Sequence, residues 1–349
     1  MKINLAGKII SDNKKCFIVA EMSANHCQSL KKALRIVQEA KKAGADAIKL
    51  QTFKPESLAL KNKKDNKSFK RVKTWKKFKS RYDLFKKAYL PWEWHKKIFQ
   101  EAKKINLPIF SSPFDLQAVD LLEKLNCPAY KIASPEITDS PLIKKVALTR
   151  KPIILSLGLA EKKDIDLAVK ILKKNKCKNF ILLKCLSHYP ASPDLLNLKS
   201  IQMLKKKYNC EVGFSDHTLG SASSVAAVSL GAKMIEKHIK LKNEKKSLDA
   251  FFSLNPEDFK NMVDDIRTAE KAVGVPTFNI DAKTRLALKG RKSIFVCKNI
   301  KKGEKITSRN IRMVRPSTGL HPKYYHKILG KFARRKLNYG KPLKLRDLN

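Results

Sequence analysis

The 349-residue sequence lacks any apolar run that approaches the ~18–20 residues needed to cross a bilayer, so we expect no membrane-spanning segment. Its opening segment, MKINLAGKII, becomes polar too early for a secretory signal peptide, which predicts a cytoplasmic protein. The seven cysteines are odd in number and form no CxxC pair. This argues against a zinc ribbon, a redox motif or a disulfide framework.

Acidic residues are scarce, because 31 stand against 76 lysines and arginines and give a formal net charge of +45. Such a charge is typical of nucleic-acid-binding proteins. The basic residues are nevertheless spread along the polar sides of amphipathic patterns instead of being gathered in one arm, although residues 291–349 are the densest, with 18 basic and 2 acidic. We therefore expect a lysine-rich solvated surface and no nucleic-acid partner, with a nucleic-acid surface as the alternative.

Eight short apolar runs alternate with amphipathic stretches of helix length, a pattern that indicates parallel strands joined by right-handed crossovers. The predicted strands span 16–21, 47–52, 108–112, 129–133, 152–157, 180–186, 211–215 and 233–239. They predict an α/β fold, a (β/α)8 TIM barrel, with an N-terminal hairpin that closes its bottom. We place the catalytic barrel domain at 1–283 and a linker with a small β-rich domain at 284–349.

One insertion, residues 54–90, separates the second predicted strand from the next core helix. A long polar loop after a barrel strand is a typical position for a lid over an active site. A passive surface excursion is the alternative. The aromatic side chains that would pack a lid down are Trp75, Tyr82, Phe85 and Tyr89.

Polar side chains lie near the end of every predicted strand or directly after it, at the barrel end where active sites lie. They are Glu21, Lys49, Gln51, Ser111, Ser112, Lys131, Ser134, Glu136, Ser156, Lys184, Ser187, Tyr189, Ser215, Asp216, His217 and His238. Lysine charge and serine hydroxyls together predict an anion pocket for a small phosphorylated carboxylate. His217 and His238 lie at the ends of consecutive strands. They suit an open Mn²⁺ or Mg²⁺ site better than structural zinc, and the alternative is that both are hydrogen-bonded core histidines.

The motifs together resemble the sialic acid synthase family. They are FIVAEMSANH, GADAIKLQTF, FSSPFD, YKIASPEITD, LSLG, LLKCLSHYPA, GFSDHTLG, EKHI and SLDAFFSLNP, in that order. The C-terminal segment SIFVCKNIKKGEKITSRNIRMVRPSTGL resembles the antifreeze-like (SAF) domain of the same family. The resemblance covers essentially the whole chain. It implies a metal-assisted condensation of phosphoenolpyruvate with an amino-sugar aldehyde, in a domain-swapped homodimer.

Two segments, EMSANH and SLDAFFSLNP, resemble the pseudaminic acid branch of that family more than its sialic and legionaminic acid branches. This branch implies the acceptor 2,4-diacetamido-2,4,6-trideoxy-L-altrose, converted to pseudaminic acid and phosphate with C–O cleavage. An N-acetylneuraminate or legionaminate synthase with a different acceptor is the alternative. A basic nucleic-acid-binding protein on an inactive barrel is a second alternative.

The resemblance also implies a role for each matching residue. Glu21, Lys131 and His238 would be catalytic, with Glu21 as the acid–base group, and His217 and His238 would hold the metal. The phosphoenolpyruvate contacts would come from Lys49, Lys131, Ser134, Ser156, Ser187 and Ser215. The sugar contacts would come from Gln51, Glu136, Tyr189, Asp249 and, from the neighbouring subunit, Arg315. Ser187 and the segment RPSTGL depart from the pattern of sialic acid synthases.

Overall fold

In the computed structural model, which describes residues 2–61 and 75–349, the chain divides into two units, Met1–Gly274 and Val275–Asn349. The first unit begins with an antiparallel hairpin of β1 (Ile3–Leu5) and β2 (Lys8–Ile10). Its inward apolar side chains join the core of the unit. Lys8 Nζ lies 2.9 Å from the carboxylate of Asp46, directly before a barrel strand. The predicted hairpin is confirmed, at the N-terminal end of the barrel.

Eight short segments rich in Ile, Leu, Val and Phe form parallel strands, because such side chains suit a buried, pleated surface. They are β3 (Phe17–Glu21), β4 (Ala47–Thr52), β5 (Ile109–Pro113), β6 (Tyr130–Ile132), β7 (Ile153–Ser156), β8 (Phe180–Cys185), β9 (Glu211–Asp216) and β10 (Met234–His238). Each strand pairs with the next, and β10 pairs with β3 to close the barrel. The predicted (β/α)8 fold is confirmed.

Helices connect the strands and cover the barrel. They are α1 (Leu30–Lys42), α2 (Pro55–Leu58), α3 (Arg81–Ala88), α4 (Trp92–Lys104), α5 (Leu116–Lys124), α6 (Ser140–Leu148), α7 (Lys162–Lys174), α8 (Ser200–Tyr208), α9 (Ala222–Ser229) and α10 (Pro256–Val273). In α7 the apolar face, Ile165, Val169 and Leu172, is buried, while Lys170 and Lys173 are exposed. The lysines thus lie on the solvated faces of the helices, as the amphipathic pattern indicates.

The predicted insertion contributes α2 and α3, whereas its residues 62–74 lie outside the described part of the chain. Leu84 of α3 is buried in a small apolar cluster with Ala24 and Leu248, and Trp75 packs against that cluster. The described end of the insertion is therefore anchored to the first unit. This anchoring matters because the described end of the insertion lies at the mouth of the barrel.

The second unit is small and irregular. It contains α11 (Ala282–Ala287), the antiparallel pair β11 (Ser293–Val296) and β12 (Ile311–Val314), and α12 (Tyr325–Ile328). Isolated β-bridges add further pairing, and a separate apolar core holds the unit together. Within residues 2–61 and 75–349, no helix is long and apolar enough to cross a membrane. All seven cysteines are free thiols.

Candidate active site

A cavity of about 550 Å³ opens at the C-terminal ends of the barrel strands. Nearly all residues that the sequence indicates for the site line this cavity. They are Glu21, Lys49, Gln51, Lys131, Ser134, Glu136, Ser156, Ser187, Tyr189, Ser215, His217, His238 and Asp249. These side chains come from most of the barrel strands and the loops that follow them. The closed barrel therefore brings together residues that are more than 200 positions apart in the chain.

Two buried ion pairs form the floor of the cavity. Lys49 Nζ lies 2.6 Å from Glu21 Oε2, and the two residues are direct partners on the paired strands β4 and β3. Lys131 Nζ donates to both carboxylate oxygens of Glu236, at 2.9 and 2.8 Å. A distance of 3.8 Å between Lys49 Nζ and Glu236 Oε1 links the two pairs. The predicted anion pocket thus holds two carboxylates as well as its two lysines, so its positive charge is largely balanced.

Glu236 is a residue that the sequence analysis missed. It lies within β10, two residues before His238, and side chains two apart on a strand share one face. That period is the signal that places its carboxylate in the barrel with the histidine. Burial alone would raise the pKa of Glu236, but Lys131 and Lys49 outweigh it and hold the pKa at about 2. The carboxylate is thus ionised and satisfies Lys131, whose charge would otherwise be costly to bury.

Glu21 is held by further hydrogen bonds. Its Oε1 accepts from Gln51 Nε2 at 3.1 Å and from the Ser23 backbone N–H at 3.0 Å. Ser23 Oγ in turn donates to Asp249 Oδ2 at 2.5 Å. This network fixes the carboxylate beside Lys49, as a group that transfers protons in a defined direction requires.

Hydroxyl groups surround the lysines. Ser215 Oγ donates to Glu236 Oε1 at 3.1 Å, and Ser134 Oγ accepts from the Gly158 N–H at 3.0 Å. Gly158 has no room for a side chain, since a Cβ there would lie 2.4 Å from Ser187 Oγ and 3.0 Å from Ser134 Oγ. Glycine at this position lets the hydroxyl groups of Ser134 and Ser187, from the loops after β6 and β8, lie close together in the cavity.

His217 and His238 lie next to each other, with ring centroids 5.4 Å apart. Nδ1 of His217 lies 3.0 Å from the Leu186 carbonyl oxygen, a contact that orients the ring and leaves its other nitrogen for a ligand. Nδ1 of His238 is buried, has no hydrogen-bond partner within the described residues, and lies 3.9 Å from Asp249 Oδ2. Two converging imidazoles fit a divalent ion with open positions. Residues 2–61 and 75–349 contain no cluster of three or more metal-ligating side chains.

Aromatic rings enclose the histidines. The ring of Tyr189 lies 4.6 Å from that of His217, and the ring of Phe252 lies 4.7 Å from that of His238. Burial lowers the pKa of His238 well below its usual value, and the nearby positive charge of Lys49 lowers it further. His238 is therefore a neutral imidazole, the form that binds metal ions.

Glu136 lies on the 3₁₀ turn that follows β6, and its side chain lines the cavity. Its Oε2 is buried and has no hydrogen-bond partner within the described residues. Burial raises its pKa to about 7, so the carboxyl group exchanges its proton near neutral pH. An unsatisfied carboxyl group of this kind is ready to donate to or accept from a bound molecule.

Some polar residues near the strand ends do not line the cavity. Asp216 points to the other side of the barrel wall, where it pairs with Lys237 at 2.9 Å, because neighbouring positions on a strand alternate in direction. Ser112 Oγ accepts a hydrogen bond from Lys49 Nζ at 3.2 Å and so helps to position this lysine of the floor. Lys184 lies on β8 but not along the cavity. Arg315 belongs to the second unit, directly after β12.

Comparisons with known proteins agree with this geometry. The model of the NeuB family matches residues 36–277, and that of the SAF domain matches residues 291–349. A pseudaminic acid synthase of Campylobacter jejuni is 44% identical over 96% of this chain and 97% of its own length. An N,N'-diacetyllegionaminic acid synthase of the same species is 38% identical, over 92% of this chain and 96% of its own.

A solved structure is also similar to this chain. The crystal structure of N-acetylneuraminic acid synthetase from Leptospira borgpetersenii, in complex with citrate, matches with a TM-score of 0.74 and 31% identity. The match covers 82% of this chain and 95% of that one.

Proposed function

The chain belongs to the NeuB family, the sialic acid synthases that its motifs resemble, and on this premise we propose that it is a phosphoenolpyruvate-dependent pseudaminic acid synthase. It would condense phosphoenolpyruvate with 2,4-diacetamido-2,4,6-trideoxy-L-altrose to give pseudaminic acid and phosphate. The observation that carries the proposal is the cavity floor. There two buried lysines, a set of serine hydroxyls, two histidines and the carboxylates of Glu21 and Glu236 line one cavity.

Phosphoenolpyruvate fits the floor by charge and by hydrogen bonding. Its phosphate and carboxylate need cationic donors, which Lys49 and Lys131 provide, and neutral donors, which the serines provide. The full set of proposed contacts is Lys49, Lys131, Ser134, Ser156, Ser187 and Ser215. Glu21 and Glu236 balance the lysines before the substrate arrives, so the site avoids unpaired buried charge.

The proposed reaction balances as follows. The methylene carbon of phosphoenolpyruvate forms a bond with the aldehyde carbon, and the second carbon of phosphoenolpyruvate becomes electron-poor. Water adds to that carbon and loses a proton, while the aldehyde oxygen gains one. The resulting hemiketal then breaks its C–O bond and expels phosphate, which leaves a keto group.

Glu21 is the residue we assign to the proton transfer between water and the aldehyde oxygen. Its carboxylate is held in place by Lys49, Gln51 and the Ser23 N–H and lines the cavity in which both substrates would bind. The charges of Glu21 and Glu236 also favour an electron-poor carbon nearby. Lys131, paired with Glu236, would keep the phosphate of the substrate aligned for departure.

His217 and His238 are the residues that would hold a divalent metal ion, Mn²⁺ or Mg²⁺. When bound, such an ion supplies Lewis-acid polarisation of the aldehyde oxygen. His238 also carries the catalytic role in this assignment because its neutral ring faces the cavity. Gln51, Glu136, Tyr189 and Asp249 lie around the remaining space, where the sugar would bind.

The choice of acceptor rests on two kinds of support. The pseudaminic acid synthase is 44% identical to this chain, whereas the legionaminic acid synthase is 38% identical. The segments EMSANH and SLDAFFSLNP favour the same branch. Mass spectrometry of the product from phosphoenolpyruvate and a panel of amino sugars tests the proposal. If a product forms only from the precursor of legionaminic acid or of N-acetylneuraminic acid, that precursor would replace the acceptor proposed here.

We also propose a homodimer in which Arg315 completes the site of the partner. Support comes from apolar side chains left exposed near the start of the second unit, where Val275, Phe278 and Leu286 are 78%, 107% and 67% exposed. A second copy of the chain would cover them. Mixing inactive Glu21→Gln with inactive Arg315→Ala tests this, because a swapped heterodimer contains one complete site and regains activity. No recovery after subunit exchange would contradict the swap.

A cytoplasmic location remains part of the proposal, since phosphoenolpyruvate is a metabolite of that compartment. The alternative of a nucleic-acid-binding protein on an inactive barrel predicts tight, salt-dependent DNA binding without turnover. Phosphate release that needs both substrates and stops with EDTA would exclude it.

A further inference from the structure

Ser23 begins the 3₁₀ turn that follows β3, two residues after Glu21. Its backbone has a φ of 44°, in the left-handed region that residues other than glycine adopt rarely. In this conformation its N–H donates back to Glu21 Oε1 at 3.0 Å. The residue is 8% exposed and its side chain lines the cavity. Backbone conformations of this kind are concentrated at functional sites, which points to a role for Ser23 beyond that of a turn residue.

The hydroxyl group of Ser23 joins two residues of the proposed acceptor site. It donates to Asp249 Oδ2 at 2.5 Å and accepts from Gln51 Nε2 at 3.1 Å. A serine hydroxyl has one proton to donate, and here that proton is used by Asp249. Ser23 therefore orients its two neighbours and is not itself a donor to a bound sugar.

The same hydrogen bonds decide which atoms the two neighbours offer to a ligand. Gln51 Nε2 donates to Ser23 Oγ and to Glu21 Oε1, each at 3.1 Å, so both protons of its amide group are used. The carbonyl oxygen Oε1 is then the polar atom that Gln51 can offer. Asp249 uses Oδ2 for Ser23 and can offer Oδ1. Both side chains line the cavity, so each presents a hydrogen-bond acceptor there.

Resting on the proposed function, we infer that Ser23 is a positioning residue for the amino-sugar substrate. Its hydroxyl group holds the Gln51 amide and the Asp249 carboxylate so that both accept hydrogen bonds from hydroxyl or amide N–H groups of the sugar. Without Ser23 Oγ, Asp249 loses this donor and can turn towards His238, whose Nδ1 lies 3.9 Å from Asp249 Oδ2. The sugar would then meet a displaced carboxylate.

The test measures kcat/KM for 2,4-diacetamido-2,4,6-trideoxy-L-altrose at saturating phosphoenolpyruvate. Ser23→Ala should lower it about tenfold, because small displacements of positioning groups are costly in catalysis. Ser23→Gly also lacks the hydroxyl group but relieves the left-handed backbone, so it should show a similar loss and serves if Ser23→Ala does not fold. Calorimetry should show unchanged phosphoenolpyruvate binding in both variants, because the backbone N–H that holds Glu21 beside Lys49 is kept.

A double-mutant cycle separates positioning from a general loss of stability. In an Asp249→Ala background, Ser23→Ala should lower kcat/KM by less than it does in the wild type, because one of the residues that Ser23 positions is gone. The matched control is Ser224→Ala. Ser224 Oγ also donates to a buried aspartate, Asp216, at 2.6 Å, but neither residue lines the cavity. This variant should keep the wild-type kcat/KM.

Three results would overturn the positioning role and leave the proposed function standing. They are wild-type kcat/KM in Ser23→Ala or Ser23→Gly, additive losses in the double-mutant cycle, and an equal loss in Ser224→Ala. If the wild type forms no condensation product from phosphoenolpyruvate and the sugar, the proposed function itself is refuted, and the role of Ser23 with it.

Discussion

The carboxylate of Glu236 makes the charge balance of the cavity floor testable. It accepts from Lys131 Nζ at 2.8 and 2.9 Å and lies 3.8 Å from Lys49 Nζ. Glu236→Gln keeps the shape but removes the charge, so two lysines that are 3% and 2% exposed are left with only the carboxylate of Glu21. Removing one partner of a buried ion pair costs about 3–5 kcal/mol. We expect the free energy of unfolding to fall by about that amount.

The matched control is Glu257→Gln, which breaks a pair with Lys242 whose side chains are 73% and 69% exposed. Solvent screens such a pair, so the loss should stay below about 1 kcal/mol. Urea unfolding at pH 7, monitored by tryptophan fluorescence, measures the free energy of unfolding of both variants. Adding Lys131→Met to Glu236→Gln should recover part of the loss, because one uncompensated charge is removed. Equal losses in the two Glu→Gln variants would refute the reasoning.

Three further predictions concern turnover, packing and pH. Glu21→Gln should bind phosphoenolpyruvate in calorimetry yet lose phosphate release; unchanged turnover would remove Glu21 from its assigned role. Gly158→Ala should lower kcat/KM for phosphoenolpyruvate about tenfold or more, because the new methyl group would lie 2.4 Å from Ser187 Oγ and crowd the phosphate contacts. Burial lowers the pKa of His26 and of His95 to about 4, so the unfolded chain binds their protons first as the pH falls from about 6.5. The free energy of unfolding should therefore drop between pH 6.5 and 4, by up to about 3 kcal/mol per histidine, and a flat urea-denaturation profile would contradict this.

The barrel could be predicted because its strands are continuous apolar runs and its helices have a clear apolar face. Parallel strands that are buried on both sides leave exactly such runs in the sequence. The polar residues at their C-terminal ends then converge because the barrel closes, which β10 achieves by pairing with β3. The closed barrel therefore brings the strands that carry Lys49, Lys131 and His238 around one cavity.

The direction of individual side chains was harder to predict. Asp216 stands next to Ser215 and His217, yet it lies on the other face of the strand and pairs with Lys237. Glu236 was missed, although its spacing of two residues from His238 places both side chains on one face of β10. Strict use of the two-residue period of a strand would have predicted that Glu236 faces the cavity and that Asp216 faces away from it.

The apolar part of the cavity wall formed by Phe53, Leu84 and Phe114 was beyond sequence analysis for a different reason. Phe53, Leu84 and Phe114 come from three separate segments, and their proximity depends on how the insertion packs across the barrel mouth. No local period links these residues. The aromatic content of the insertion indicated packing, but not which wall of the cavity it would form.

The most direct test of the central claim follows the bridging oxygen of phosphoenolpyruvate. The substrate is phosphoenolpyruvate that carries ¹⁸O between its second carbon and phosphorus. It is incubated with the enzyme, a divalent metal and 2,4-diacetamido-2,4,6-trideoxy-L-altrose, and mass spectrometry measures the masses of both products. Condensation with C–O cleavage predicts pseudaminic acid without the label and phosphate that carries it. Label retained in the sugar acid, or phosphate released without a condensation product, would contradict the account.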